Sequence, residues 1–150
     1  MTTPRNSILK PLAKFDLPSE PGNEREAMNR VAGAVEPLGL SKKSLDRLGT
    51  AVAEATMNAM EHGNAYRPEL PVRVEVLASE TEVAVRITDE GEGPPEFSSE
   101  APDIEAKLGG GQTPRGWGLF LIGNMVDELR VSGGEGHHTV ELLLRRDGGE

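Results

Sequence analysis

Glu54, Asn58 and His62 recur at intervals of four, so on an α-helix a carboxylate, an amide and an imidazole share one face. Such a face can orient a phosphate-bound Mg²⁺, because that ion takes oxygen ligands and keeps several of its waters. The same spacing also describes the solvated side of an amphipathic helix, and this segment alone does not separate the two. A second group, Asp89-Glu90-Gly91-Glu92-Gly93, follows directly on an alternating run. An aspartate at a strand end can accept a hydrogen bond from an exocyclic amine such as adenine N6, and glycines let the backbone approach a base. Taken alone, the group reads more simply as an acidic turn. A third group, Arg115-Gly116-Trp117-Gly118-Leu119-Phe120-Leu121-Ile122, opens a helical pattern. Free backbone N–H groups at a helix N-terminus suit an anion such as a triphosphate. A glycine-rich turn ahead of a core helix has the same composition.

Other chemistries are disfavoured. There is no Gly-x-x-x-x-Gly-Lys-Ser/Thr and no Gly-x-Gly-x-x-Gly after the first strand of a βαβ unit, which removes a P-loop and leaves a dinucleotide fold unsupported. The adjacent histidines His137 and His138 point to opposite faces of a strand and so seldom share an ion. Cysteine is absent, which removes disulfides and thiolate metal sites and fits a reducing compartment. A net charge of −9 argues against nucleic acid, whose phosphates need a positive surface. No apolar run approaches the roughly 20 residues that span a bilayer, and the first ten residues lack the apolar core of a signal peptide. The expectation is a cytoplasmic protein with no membrane partner.

The elements that must carry these groups follow from periodicity. A loose tail over residues 1–7 precedes a patchy apolar segment, Ile8 to Leu17, whose prolines Pro11 and Pro18 suit an edge strand. Asn23 and Glu26 resemble a capping pair, and Ala27, Met28, Val31, Ala34, Val35 and Leu38 recur at helical spacing. Ser41 can cap a second helix with Leu45, Leu48, Val52, Ala55 and Ala59 as its stripe, stopped by Gly63-Asn64. Val72, Val74, Val76 and Val83, Val85, Ile87 alternate around a polar turn from Ser79 to Glu82, which predicts a hairpin. Residues 94–115 hold many Pro, Gly and acidic residues. Loops of that length are usually functional lids or disordered, although 101–108 has the makings of a short helix. A third helix from about Gly116 to Val126, a strand at Leu129 and Val131, and a final strand from Thr139 to Leu144 complete the chain. The order predicts an α+β fold: a two-layer α/β sandwich with a mixed, mostly antiparallel sheet and helices on one face. It also predicts one domain over 8–150.

In this order the three groups resemble the N, G1 and G2 boxes of the GHKL (Bergerat-fold) ATPase and kinase superfamily. The segments Ala53 to Asn64 and Arg115 to Ile122, with Met125-Val126-Asp127-Glu128-Leu129, are most similar to bacterial anti-sigma-factor serine/threonine kinases. The resemblance spans roughly Phe15 to Arg145. It implies ATP and Mg²⁺ as cofactors, with Asn58 as Mg²⁺ ligand, Glu54 as general base and His62 among the nucleotide-binding residues. It implies Asp89 at adenine with Gly91 and Gly93 shaping the base pocket. Gly116, Trp117, Gly118 and Leu119 would cradle the phosphates, Arg115 would stand near the outer ones, and Thr139 would help hold the adenine end. The family usually has glycine before that threonine; here the residue is His138.

The resemblance therefore implies a serine kinase that phosphorylates a STAS-type antagonist, binds a sigma factor, and pairs as a homodimer. The other readings are a non-catalytic ATP-binding switch module in a phosphatase-linked stress system, and the ATP-binding half of a histidine kinase. The last needs an acceptor histidine on a dimerisation helix, and His62, His137 and His138 do not supply one.

Overall fold

The computed structural model describes residues 8–91, 121–134 and 136–146. The tail 1–7, the lid expected over 94–115 and the start of the third helix lie outside the described residues. The expected α+β sandwich is present. Strands β1 (Lys10–Pro18), β2 (Pro71–Ala78), β3 (Glu82–Asp89), β4 (Glu128–Gly134) and β5 (His137–Arg145) form one sheet in the order β1-β2-β3-β5-β4. Each described pairing is antiparallel. Helices α1 (Asn23–Val35) and α2 (Lys42–Asn58) pack on one face.

Alternation in the strands decides which side chains meet the helices. Val72, Val74 and Val76 on β2, Val83, Val85 and Ile87 on β3, and Val140, Leu142 and Leu144 on β5 form one core with Ala27, Val31, Leu48 and Val52 of the helices. Burying each of the larger side chains stabilises the fold by about 1.5–3 kcal/mol. The opposite face is polar: Arg86 Nε donates to Glu141 at 2.7 Å, and Arg73 Nε to Asp16 at 3.2 Å. A small apolar patch of Leu77, Ala84 and Leu143 stands beside them.

Local sequence explains the element ends. Ser41 caps α2 as expected, its Oγ accepting from the Ser44 N–H at 3.1 Å. Ser79 builds the hairpin turn, its Oγ accepting from the N–H groups of Thr81 and Glu82. The expected capping pair at Asn23 does not form. Gly22, at φ 101°, takes the cap position, and Asn23 is already helical, its amide reaching back to the Pro18 carbonyl at 2.8 Å. A left-handed residue is needed there, and only glycine adopts it without strain. The expected edge strand is found as β1, with a register shift between Pro11 and Ala13. Residues 121–125 are helical and place Ile122 in the core. Arg47 Nε donates to the Met125 carbonyl at 3.0 Å, tying that helix to α2. Among the described residues no helix is long and apolar enough to cross a membrane.

Candidate nucleotide site

Helix α2 turns Leu48, Ala51, Val52 and Ala55 to the core and leaves Glu54 and Asn58 half-buried. Glu54 and Asn58 share a face, as their spacing dictates. Beyond Asn58 the regular helix gives way to a π-helical turn, Ala59–Gly63. Such turns insert extra backbone into a helix and often stand at functional sites. The wider turn rotates His62 relative to Asn58, and its Nε2 lies 3.7 Å from Glu61 Oε1. Ala65 and Tyr66 then adopt left-handed φ values of 53° and 52°, which non-glycine residues seldom do. Partial burial, then the charges of Glu61 and Glu24, push the Tyr66 hydroxyl above its usual pKa.

The π turn delivers Gly63 onto the end of β3. A Cβ at Gly63 would overlap the Asp89 carboxylate, and a Cβ at Gly91 would overlap the Gly63 carbonyl. Two glycines thus let the helix end, the strand end and the following loop meet with no side chain between them. Asp89 is 3% exposed. Its Oδ1 accepts from the Gly91 N–H at 2.9 Å and lies 3.2 Å from His138 Nδ1.

Asn64 locks the same corner. Its Oδ1 accepts from the Glu90 N–H at 2.8 Å, and its Nδ2 donates toward Ser19 Oγ, the Leu70 carbonyl and the Pro71 carbonyl at 2.9 to 3.1 Å. One buried amide therefore joins the end of the π turn, the segment after β1, the start of β2 and the loop after β3. In the sequence Gly63-Asn64 reads as a helix stop at the end of the Ala53–Asn64 segment. The signal missed was an amide residue directly after a glycine at the end of a helix aimed into the molecule.

The structure brings Asp89, Gly91 and the C-terminal end of the Glu54–Asn58 helix to one corner. It does not bring Thr139 there. Asp89 pairs with His138 and Thr88 with Thr139, so alternation puts Thr139 on the opposite sheet face. There its Oγ1 lies 2.8 Å from Thr88 Oγ1. The helix-side position expected for Thr139 is held by His138, because the register is set one residue away. Gly93, Arg115, Gly116, Trp117, Gly118 and Leu119 lie outside the described residues.

Two observations suit a nucleotide with its metal. The first is the buried Asp89 carboxylate at the end of β3, which the Gly63 backbone approaches with no side chain between them. The second is Asn58, whose buried Nδ2 has no hydrogen-bond partner among the described residues, although buried polar groups are normally paired. The two ends of an amide interchange by a flip, so this side chain can present its oxygen to a cation. Among the described residues no group of three or more His, Asp or Glu side chains is placed to hold a metal by itself. A Mg²⁺ ion commonly takes most of its oxygens from phosphate and water.

The fold and this corner place the chain in a known class. The histidine kinase-like ATPase domain profile matches residues 17–143, and the chain belongs to that family. It is similar to the anti-sigma F factor of Bacillus cytotoxicus, at 30% identity over 131 residues, covering 82% of this chain and 84% of the relative. The anti-sigma F factor of Pasteuria penetrans is also 30% identical, over 133 residues, covering 83% and 84%. Among solved structures, the SiaB–SiaC complex of Pseudomonas aeruginosa contains a chain of the same fold, with TM-score 0.68 and 18% identity over 89% of each chain. The RsbU and RsbW domains of Rv1364c from Mycobacterium tuberculosis match with TM-score 0.64 and 19% identity, covering 89% of this chain and 32% of that one.

Proposed function

We propose that this chain is an ATP-dependent protein serine kinase that phosphorylates a STAS-type antagonist and holds a sigma factor inactive. The observation that carries the nucleotide half is the buried Asp89 carboxylate at the end of β3, which the Gly63 backbone approaches with no side chain between them. Asp89 accepts a hydrogen bond from the exocyclic amine of adenine. Asn58 would hold Mg²⁺, which would supply charge neutralisation at the phosphates. Residues 94–115 act as the lid, and the Arg115 to Leu119 segment meets the phosphates.

Glu54 is one helical turn before Asn58 and half-buried, close enough in the chain to serve the same phosphate. Its carboxylate takes the proton of the attacking serine hydroxyl. The serine oxygen then bonds to the terminal phosphorus, and ADP leaves. The protein half of the proposal is supported by the anti-sigma F factor relatives, which span most of this chain. A second copy would add at β1, whose outer edge has no neighbour among the described strands and whose Leu12 is 43% exposed.

The test pairs ADP titration calorimetry with phosphate transfer from labelled ATP to STAS-domain proteins. Tight Mg²⁺-dependent binding with transfer is the expected result. Tight binding with no transfer to any STAS protein makes the chain a non-catalytic ATP switch instead.

A further inference from the structure

The register that removes Thr139 from the site installs His138 in it. His138 stands directly across from Asp89 on β5. Both side chains are only 5% exposed, with Nδ1 and Oδ1 3.2 Å apart. Across the other ladder the residue opposite is Gly133, which has no side chain. The Asp89 carboxylate is thus bounded by Gly63 on one side, by the Gly91 N–H at 2.9 Å, and by the imidazole.

We infer that His138 is a positioning residue that sets the base selectivity of this chain by donating a hydrogen bond from Nδ1 to Asp89. This rests on the reading of Asp89 as the base acceptor. A carboxylate this deeply buried stays ionised only with donors on its oxygens. Two donors on Oδ1, the Gly91 N–H and the His138 N–H, fix its rotamer and hold the charge. An ionised carboxylate only accepts, so it favours the 6-amino group of adenine and repels the 6-oxo group of hypoxanthine or guanine. Without the imidazole donor the carboxyl can turn or protonate. A protonated acid donates as well as accepts, and discrimination between amine and carbonyl falls. His138 therefore acts on selectivity more than on binding to the phosphates, which are held elsewhere.

The experiment measures ADP and IDP affinity, with Mg²⁺, for the full chain and for Asp89→Asn, His138→Val and His138→Asn. Asparagine can place its amide nitrogen near the position of Nδ1. His138→Val should weaken ADP about tenfold, the scale of one hydrogen bond to a charged group, and leave IDP almost unchanged. His138→Asn should restore most of the preference. If Asp89→Asn changes neither nucleotide, the base-acceptor reading fails and this inference fails with it. If Asp89→Asn abolishes the preference but His138→Val keeps it, Asp89 stands and the role of His138 is overturned. Imidazole ¹⁵N spectra of the unmutated protein decide the matter should His138→Val not fold. A protonated Nδ1 on His138 is expected, and a bare Nδ1 with the proton on Nε2 alone rules out the donation.

Discussion

Gly63 is where helix and strand meet most closely, so Gly63→Ala is the most informative single change. The new Cβ would stand 2.7 Å from Asp89 Oδ1 and nearer to the rest of the carboxylate, against about 3.5–4.0 Å for a favourable contact. Two effects oppose each other. Replacing a helical glycine with alanine ordinarily stabilises by up to about 1 kcal/mol. Overpacking costs about 1–3 kcal/mol, and a carboxylate pushed away from the Gly91 N–H and His138 loses interactions worth about 1.5–3 kcal/mol each. The clash wins, and a net loss of at least about 3 kcal/mol is expected. For a chain of this length that is a fall in Tm of at least roughly 6 °C. ADP affinity should fall about tenfold or more, because the displaced group is the base acceptor. Thermal unfolding and calorimetry read the two effects separately. Gly33→Ala is the control, since nothing lies within 4 Å of its added Cβ; it should raise stability by about 0.5–1 kcal/mol. Equal Tm gains in the two variants, with ADP affinity intact in Gly63→Ala, would refute the close packing of the π turn on Asp89.

Asn64→Ala should lower stability by about 3 kcal/mol, because four polar groups around it lose a partner at once; a shift in urea midpoint worth under about 0.5 kcal/mol would show that water replaces the amide. Glu54→Gln should bind ADP nearly as the parent does while phosphate transfer falls about 10²- to 10⁴-fold; single-turnover transfer beside calorimetry measures both, and unimpaired transfer excludes Glu54 as the base. Asn58→Ala should weaken ADP in the presence of Mg²⁺ and have little effect without it, and equal loss in both conditions would end the metal assignment. Thr139→Val should leave ADP affinity unchanged and remove about 1 kcal/mol of stability with the Thr88 contact; a selective loss of ADP binding would place Thr139 back in the site.

The parts of this fold that were legible in the sequence are those where one period dominates. The valines of β2 and β3 alternate without interruption, and the apolar stripe of α2 runs from Leu45 to Ala59, so the hairpin, the second helix and its Ser41 cap followed directly. Failures came where local preference and tertiary packing disagree. Asn23 is a good cap by type, but the turn after β1 needs a left-handed residue, and Gly22 supplies it. The helix from Lys42 was expected to stay regular to His62, yet it widens after Asn58. That extra backbone buries Met60 and lays Gly63 against Asp89, a demand that no spacing within the helix announces.

Register is the finer case, because a shift of one residue exchanges the two faces of a strand. In His137 to Leu144 the two senses differ: with Thr139 inward, Glu141 would face the core and Val140 would face out, whereas with His138 inward Val140, Leu142 and Leu144 line the core. The pairing agrees. Ile87 lies across from Val140 and Val85 from Leu142, and only that arrangement sends the valines and isoleucine of β3 to the same side as Val140, Leu142 and Leu144. The core therefore chooses the register, and the site inherits the outcome. The residue beside Asp89 is an imidazole because three aliphatic pairs further along the same two strands leave no other position for it.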